Sequence, residues 1–301
     1  MKVLITGAAG PRGVLLRARL AEEGHDVVGV DVEAAPPGAP PVQKLDYRKR
    51  GFEDLLRRER FSAVCHLAVH AGFRLPTAER HKLNLEGSQR VIELSAAHGV
   101  SRIVVASHAM IYGALPDNPC FMTEDAPLRV GQELPEMQDV VAADLLAGAA
   151  MWKHPEVSIV VLRTVNCLGP TSRDALAQLL RHRRVPTIFG YDPMVQVIHE
   201  ADQAKAFSCA LAPGIRGVFN VTGAGEVPIS VLVREAGGSK VPLPAPLARG
   251  LLGRFGFPDA GGGVLEFLKN PCLVDGARFA REAGFVPEHD LVATVRSVRA
   301  S

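Results

Sequence analysis

The stretch KVLITGAAGPRGVLLRARLAEEG, residues 2–24, decides the fold. KVLITG (2–7) is an apolar run with no polar alternation, the pattern of a strand buried on both faces of a parallel sheet. PRGVLLRARLAEEG (11–24) carries apolar residues at helical spacing and ends on a glycine stop. Between strand and helix lies TGAAGPRG, with Gly7, Gly10 and Gly13. Glycines in such a turn let the backbone approach a pyrophosphate, and the helix start then offers free N–H groups and a positive dipole end.

The same alternation continues outward. DVVGVDV (26–32) reads as a second strand, EAAPPGAPPVQ (33–43) as a Pro-rich loop, FEDLLRRERF (52–61) as a helix and SAVCHLA (62–68) as a third strand. A long helix over 78–100 precedes strand RIVVAS (102–107), which runs on into the loop of VVASHAMIYG (104–113). Another helix over 134–154 precedes strand VSIVVLRTV (157–165). Apolar strands alternating with helices predict an α/β protein, a Rossmann-type doubly wound parallel sheet covered on both faces. The expected division is a dinucleotide-binding domain over 1–165 and a small, mainly substrate-binding C-terminal lobe over 166–301, with about 190–225 returning to the sheet. Residues 240–263 are rich in Pro and Gly and are expected to cover a pocket.

An acid closes the second strand. Asp31 would accept hydrogen bonds from the adenosine ribose and repel a 2′-phosphate, which favours NAD over NADP. Arg12 could soften that preference, or be a solvated first-turn residue. Asp46, in LDYR, follows the loop and could meet the adenine amino group; a turn aspartate is the plainer reading.

Composition limits the function. The net charge of +2 argues against a nucleic-acid protein, and RHRR (181–184) reads as the polar end of a helix. Cys65, Cys120, Cys167, Cys209 and Cys272 are scattered and lack C-x-x-C spacing, which suggests reduced thiols in a cytoplasm and no zinc site. No apolar run reaches the ~18 residues of a membrane span, and the N-terminus does not read as a signal peptide.

T-G-x-x-G-x-x-G, Asp31, CHLA (65–68), NLEGSQRVIELSAAHGV (84–100), VVASHAMIYG, LRTVNCLGP (162–170), VIHEADQAKAF (197–207) and FNVTG (219–223) together resemble the extended short-chain dehydrogenase/reductase family, the group of sugar-nucleotide epimerases and dehydratases. The likeness spans nearly the whole chain. It implies NAD binding and a small, polar substrate, possibly a nucleotide-linked sugar. It implies that Ala68 and Val69 line the cofactor groove, that Asn84 holds the middle of the sheet, and that Tyr112, Asn166 and His199 lie toward the substrate. It also implies a homodimer through helices 84–98 and 137–152, where Val140, Val141, Leu145, Ala149 and Trp152 form an apolar stripe.

The family's chemistry needs a Tyr-x-x-x-Lys pair, in which the lysine charge lowers the tyrosine pKa from about 10 toward neutrality. This chain has tyrosines at 47, 112 and 191, followed four residues on by Gly51, Pro116 and Val195. The helix that should carry the pair offers Val140 and Asp144, or Val141 and Leu145. The Ser/Thr position is His108, with Ser107 before it. Two readings stand. His108 is a substitute general acid/base with Asp144 and Ser107 beside it, or the site has decayed and the chain is a non-catalytic NAD-binding sensor or partner subunit. A third possibility is a non-redox lyase, isomerase or cyclase. His70 and the loop pair Glu124 and Asp125 are weaker site candidates, and His66 reads as a strand residue under the cofactor.

Overall fold

The structure, a computed structural model, describes residues 1–69, 75–132, 134–251, 254 and 262–299. Twelve strands are found among these residues: β1 Lys2–Thr6, β2 Asp26–Asp31, β3 Gln43–Lys44, β4 Ala63–His66, β5 Arg102–His108, β6 Ser158–Thr164, β7 Asn166–Leu168, β8 Arg184–Ile188, β9 Met194–His199, β10 Gly217–Val221, β11 Glu226–Pro228 and β12 Ser239–Leu243. The α-helices are α1 Pro11–Glu22, α2 Arg50–Glu59, α3 Thr77–His81, α4 Gly87–Ala97, α5 Gln138–Lys153, α6 Ala175–Leu180, α7 Glu200–Cys209, α8 Ile229–Glu235, α9 Ala245–Leu251, α10 Ala277–Ala283 and α11 Leu291–Ser297.

Seven of the described strands form one sheet in the order β10-β6-β5-β4-β1-β2-β3, with every pairing parallel. Alternate residues of β1 face opposite layers. Val3 and Ile5 pack with Leu16 and Leu20 of α1 and Phe207 of α7, while Leu4 packs with Phe52 of α2 and Val91 and Ile92 of α4. Both faces are therefore dry, which is why the strands read as continuous apolar runs. The chain reverses its direction of growth between β1 and β4, and the strand ends there form the crevice in which ligands of such sheets bind.

Two expectations from the pattern are corrected. The helix expected over 78–100 is split into α3 and α4 by a wide turn at Lys82–Glu86. Its Asn84 donates to Asp139 Oδ2 at 2.8 Å, and Gly87 lies against the Tyr47 ring, where a Cβ would come within 2.6 Å of a ring carbon. His108, expected in the loop after the strand over 102–107, is the last residue of β5, where Ser107 and His108 pair in register with Arg163 and Thr164 of β6.

The C-terminal part builds a three-stranded sheet, β11-β9-β7, and the pair β8-β12. Between β9 and β11 the chain re-enters the main sheet as β10 beside β6. The smaller sheet has its own core, in which Val185, Val197, Leu232 and Val295 are buried. Residues 252, 253 and 255–261 of the segment expected to cover a pocket lie outside the described residues.

Candidate functional site

The glycine loop is shaped by contacts that exclude side chains. Gly7 has φ +73°, and a Cβ on it would lie 3.0 Å from the backbone nitrogen of Ala68. A Cβ on Gly13 would come within 2.4 Å of the Gly7 carbonyl oxygen. Gly10 precedes α1 with no side chain capping the helix start. The first-turn N–H groups of α1 are thus left for a ligand.

Asp31 closes β2 beside this loop. Its Oδ2 accepts the Ala9 N–H at 3.0 Å and its Oδ1 the Glu33 N–H at 3.1 Å. Each oxygen keeps a lone pair, so the carboxylate can still accept from a hydroxyl. The two glycines that tolerate no Cβ, the uncapped helix start and this acid fit the adenosine-diphosphate half of NAD. Asp46 is committed locally: Arg48 approaches it at 3.0 and 2.8 Å and holds its carboxyl below the usual carboxylate range. Ala68 touches Gly7 through its backbone. His66, fully buried, bridges Thr6 and Ser88 at 2.7 and 3.0 Å. Asn84 bonds Asp139, which also holds the buried Arg80 at 2.9 Å.

The positions of the missing catalytic pair are filled differently. Val140 is buried among Ile111, Val130, Leu134 and Met137. Asp144, one turn further along the same face of α5, makes a buried two-point contact with Arg163 of β6: Nη2 to Oδ1 at 2.6 Å and Nε to Oδ2 at 3.0 Å. Burial works against the Arg163 charge, but the Asp144 contact more than offsets it and raises the guanidinium pKa further. Ser107 Oγ donates to the same carboxylate at 2.6 Å. Arg163 also donates to the Tyr112 hydroxyl at 2.8 Å, and that hydroxyl donates to Asn220 at 2.8 Å. Glu124 joins the network, its carbonyl accepting from Arg163 and its carboxylate from the Asn220 N–H. Tyr112 is fully buried, and burial, only partly countered by Arg163, raises its pKa above the usual phenol value. It is a neutral structural donor and does not line the cavity.

That cavity, of about 580 Å³, runs from Gly7, Gly10 and Arg12 past Ser107, His108 and Asn166 to Met194 and Leu268. It joins the dinucleotide loop to the ends of β5 and β7. His108 Nδ1 accepts the Met110 N–H at 3.0 Å, and its Nε2 lies 3.8 Å from Asp174 Oδ2. The lone pair of Nδ1 being taken, the neutral ring carries its proton on Nε2, toward Asp174. Asp174 also accepts the Cys167 N–H at 2.7 Å. Burial pushes its carboxyl up, but His108 and the Arg12 charge win and hold it below its ordinary value. Glu200 lines the same cavity and accepts from the Thr171 hydroxyl at 2.9 Å; burial raises its pKa despite that bond.

Of the residues named from sequence, the cavity brings together Gly7, Gly10, Arg12, Val69, Ser107, His108, Val140 and Asn166. His199 instead ends β9 and caps α7, its Nδ1 accepting the Ala201 N–H, and stacks on His289 at 3.7 Å. His70 lies outside the described residues. Sequence reasoning missed Arg163, Asp174 and Glu200. Arg163 left a signal, since a charged residue inside the apolar strand VSIVVLRTV needs a buried partner.

Comparison with known proteins follows the geometry. An uncharacterized protein of Mycobacterium tuberculosis is 30% identical over 257 residues, 81% of this chain and 67% of that one. The UDP-glucose 4-epimerase of Mus musculus is 25% identical over 297 residues, 80% of this chain and 84% of that one. The solved structure of MoeE5 in complex with UDP-glucuronic acid and NAD superposes at a TM-score of 0.80, with 23% identity, over 99% of this chain and 97% of its own. Residues 3–222 match the NAD dependent epimerase/dehydratase family, and the chain belongs to that family.

Proposed function

We propose that the protein binds NAD and acts, as an oxidoreductase or isomerase, on a polar, nucleotide-linked sugar through a non-standard active site. The observation that carries this reading is the single cavity joining Gly7 and Gly10 to Ser107, His108 and Asn166. Gly7, Gly10, Gly13 and Asp31 hold the adenosine-diphosphate half. When bound, NAD supplies a hydride acceptor. His108 turns its Nε2–H from Asp174, 3.8 Å away, to the substrate oxygen and orients it, with the Asp174 carboxylate remaining beside the ring. To carry a proton rather than only donate a hydrogen bond, His108 must release Met110, because Nδ1 is the remaining base. Asp144 takes no part in proton transfer, since its charge is met by Arg163.

The test is turnover of UDP-glucose and UDP-glucuronic acid with NAD, followed for hydride exchange and for the epimer formed. His108→Ala is expected to abolish turnover while the NAD dissociation constant stays within about twofold, less than ~0.5 kcal/mol. Retained turnover removes His108 from its role. A second reading, a non-catalytic NAD-binding sensor or partner subunit, is favoured by one observation: Val140 and Asp144 leave no proton carrier on α5. It expects NAD binding with no hydride exchange.

The assembly proposed is a homodimer through α4 and α5. Leu145 and Trp152 on α5 are 56% and 90% exposed, an apolar stripe left open by the described residues. A cytoplasmic setting is proposed from the five cysteines, all of which are free thiols.

A further inference from the structure

The family's lysine would bring a positive charge to the cavity from α5, and this chain has Asp144 there instead. Among the described residues, two cationic side chains line the cavity, Arg12 and Arg173. Arg173 is exposed, whereas Arg12 is half-buried between the glycine loop and α7. Its Nε donates to Gln203 Oε1 at 2.9 Å, and Gln203, itself buried, donates to Thr164 Oγ1 at 3.0 Å. The guanidinium carbon sits 5.9 Å from the Phe207 ring centroid. These contacts fix the direction of the fork. Among the described residues, neither Nη1 nor Nη2 has a hydrogen-bond or salt-bridge partner, and the charge acts on Asp174 only at longer range. Four N–H donors are thus presented in one plane, in a cavity whose wall is the glycine loop.

The fork is anchored on α7, through Gln203 and against the Phe207 ring. A planar, pre-oriented guanidinium matches a pair of phosphate oxygens, and burial strengthens such a contact. Backbone N–H groups of a glycine loop supply donors but no net charge.

We infer that Arg12 is the cation of the dinucleotide site: its two terminal amino groups grip the pyrophosphate in the glycine cradle, with Gln203 as the residue that positions them. The charge missing from α5 is carried by the first turn of α1. The inference rests on the reading of the chain as an NAD-binding protein. It makes Arg12 a binding residue and assigns it no proton.

The experiment is calorimetric titration of the full chain with NAD and with ADP-ribose at low and high salt, and ligand-observed NMR with adenosine. Wild type, Arg12→Ala, Arg12→Lys and Gln203→Ala are compared. Arg12→Ala is expected to weaken NAD and ADP-ribose about tenfold or more, to flatten their salt dependence, and to leave adenosine unchanged. Arg12→Lys should recover part of the loss, as a point charge without the fork, and Gln203→Ala should lose less than Arg12→Ala. If Arg12→Ala does not fold, Gln203→Leu releases the fork without altering the loop and is read against wild type. Wild-type NAD binding with variant constants within about twofold overturns the role of Arg12 and leaves the NAD reading intact. An equal loss for adenosine also overturns it, since the damage then extends beyond the phosphates. Absence of NAD and ADP-ribose binding by the wild type overturns both.

Discussion

Asp144 and Arg163 are matched oxygen for nitrogen, 2.6 and 3.0 Å apart, across the interface between α5 and β6. Both are almost wholly buried, so each depends on the other to stay charged. Removing one partner from such a pair leaves an uncompensated charge and typically costs about 3–5 kcal/mol. Arg163→Met and Asp144→Leu should each lose stability on that scale in urea unfolding, and the double variant should lose less than the sum. Additive losses would mean that the pair is not coupled.

Restoring the family's lysine by itself should fail. Asp144→Lys would set a second cation against Arg163 and also strip Ser107 of its acceptor. Unfolding midpoints should fall for Asp144→Lys and recover in Asp144→Lys/Arg163→Leu. A stable single variant would contradict the fixed placement of Arg163.

The glycines of the loop should separate by position. Gly13→Ala forces a methyl to within 2.4 Å of the Gly7 carbonyl and 2.6 Å of Ala8 Cα, both backbone atoms that cannot swing aside. Gly10→Ala meets only an ordinary contact of 3.5 Å. Gly13→Ala should therefore lower thermal stability and NAD affinity together. Gly10→Ala should fold normally, and calorimetry then reports the effect of its methyl on the ligand alone.

Two cavity acids should give opposite pH signatures. Asp174 is held below its usual 3.8, so its stabilisation is present above that pH and is lost as pH falls through the lower folded value. Glu200 is held above its usual 4.5, so its contribution is present below that pH and is lost as pH rises through the higher folded value. Melting temperature against pH should show a shallower acid limb in Asp174→Asn and a smaller loss above pH 4.5 in Glu200→Gln. Identical profiles for wild type and both variants would deny either acid a perturbed setting.

The exposed stripe on α5 gives a hydrodynamic test. Leu145→Glu/Trp152→Glu should convert a dimer to a monomer in light scattering while the far-ultraviolet spectrum stays unchanged. A monomeric wild type would rule the assembly out.

Legibility in the sequence followed locality. The glycine loop, the helix after it and Asp31 lie within thirty residues of one another and could be read together, as could the alternation that gives the sheet. Ser107, His108 and Asn166 are legible through the family resemblance of the motifs VVASHAMIYG and LRTVNCLGP, and all three line the cavity. Tyr112, Asn84 and His199 were read for the substrate or the sheet, and their partners instead are Arg163 and Asn220, Asp139, and His289. Those partners are up to 108 residues away, and no periodicity announces them. Asp174 was hidden for a related reason: alone it reads as a helix-start aspartate, and only the fold sets it against His108.

The ion pair between α5 and β6 also limits what can be rebuilt here. A carboxylate on the helix and a guanidinium on the strand make each other tolerable, so replacing either alone leaves the other buried and uncompensated. Placing a lysine on α5 requires Arg163 to change at the same step. Redesign of the cavity is therefore free at His108, Asp174 and Arg12 and coupled at Asp144.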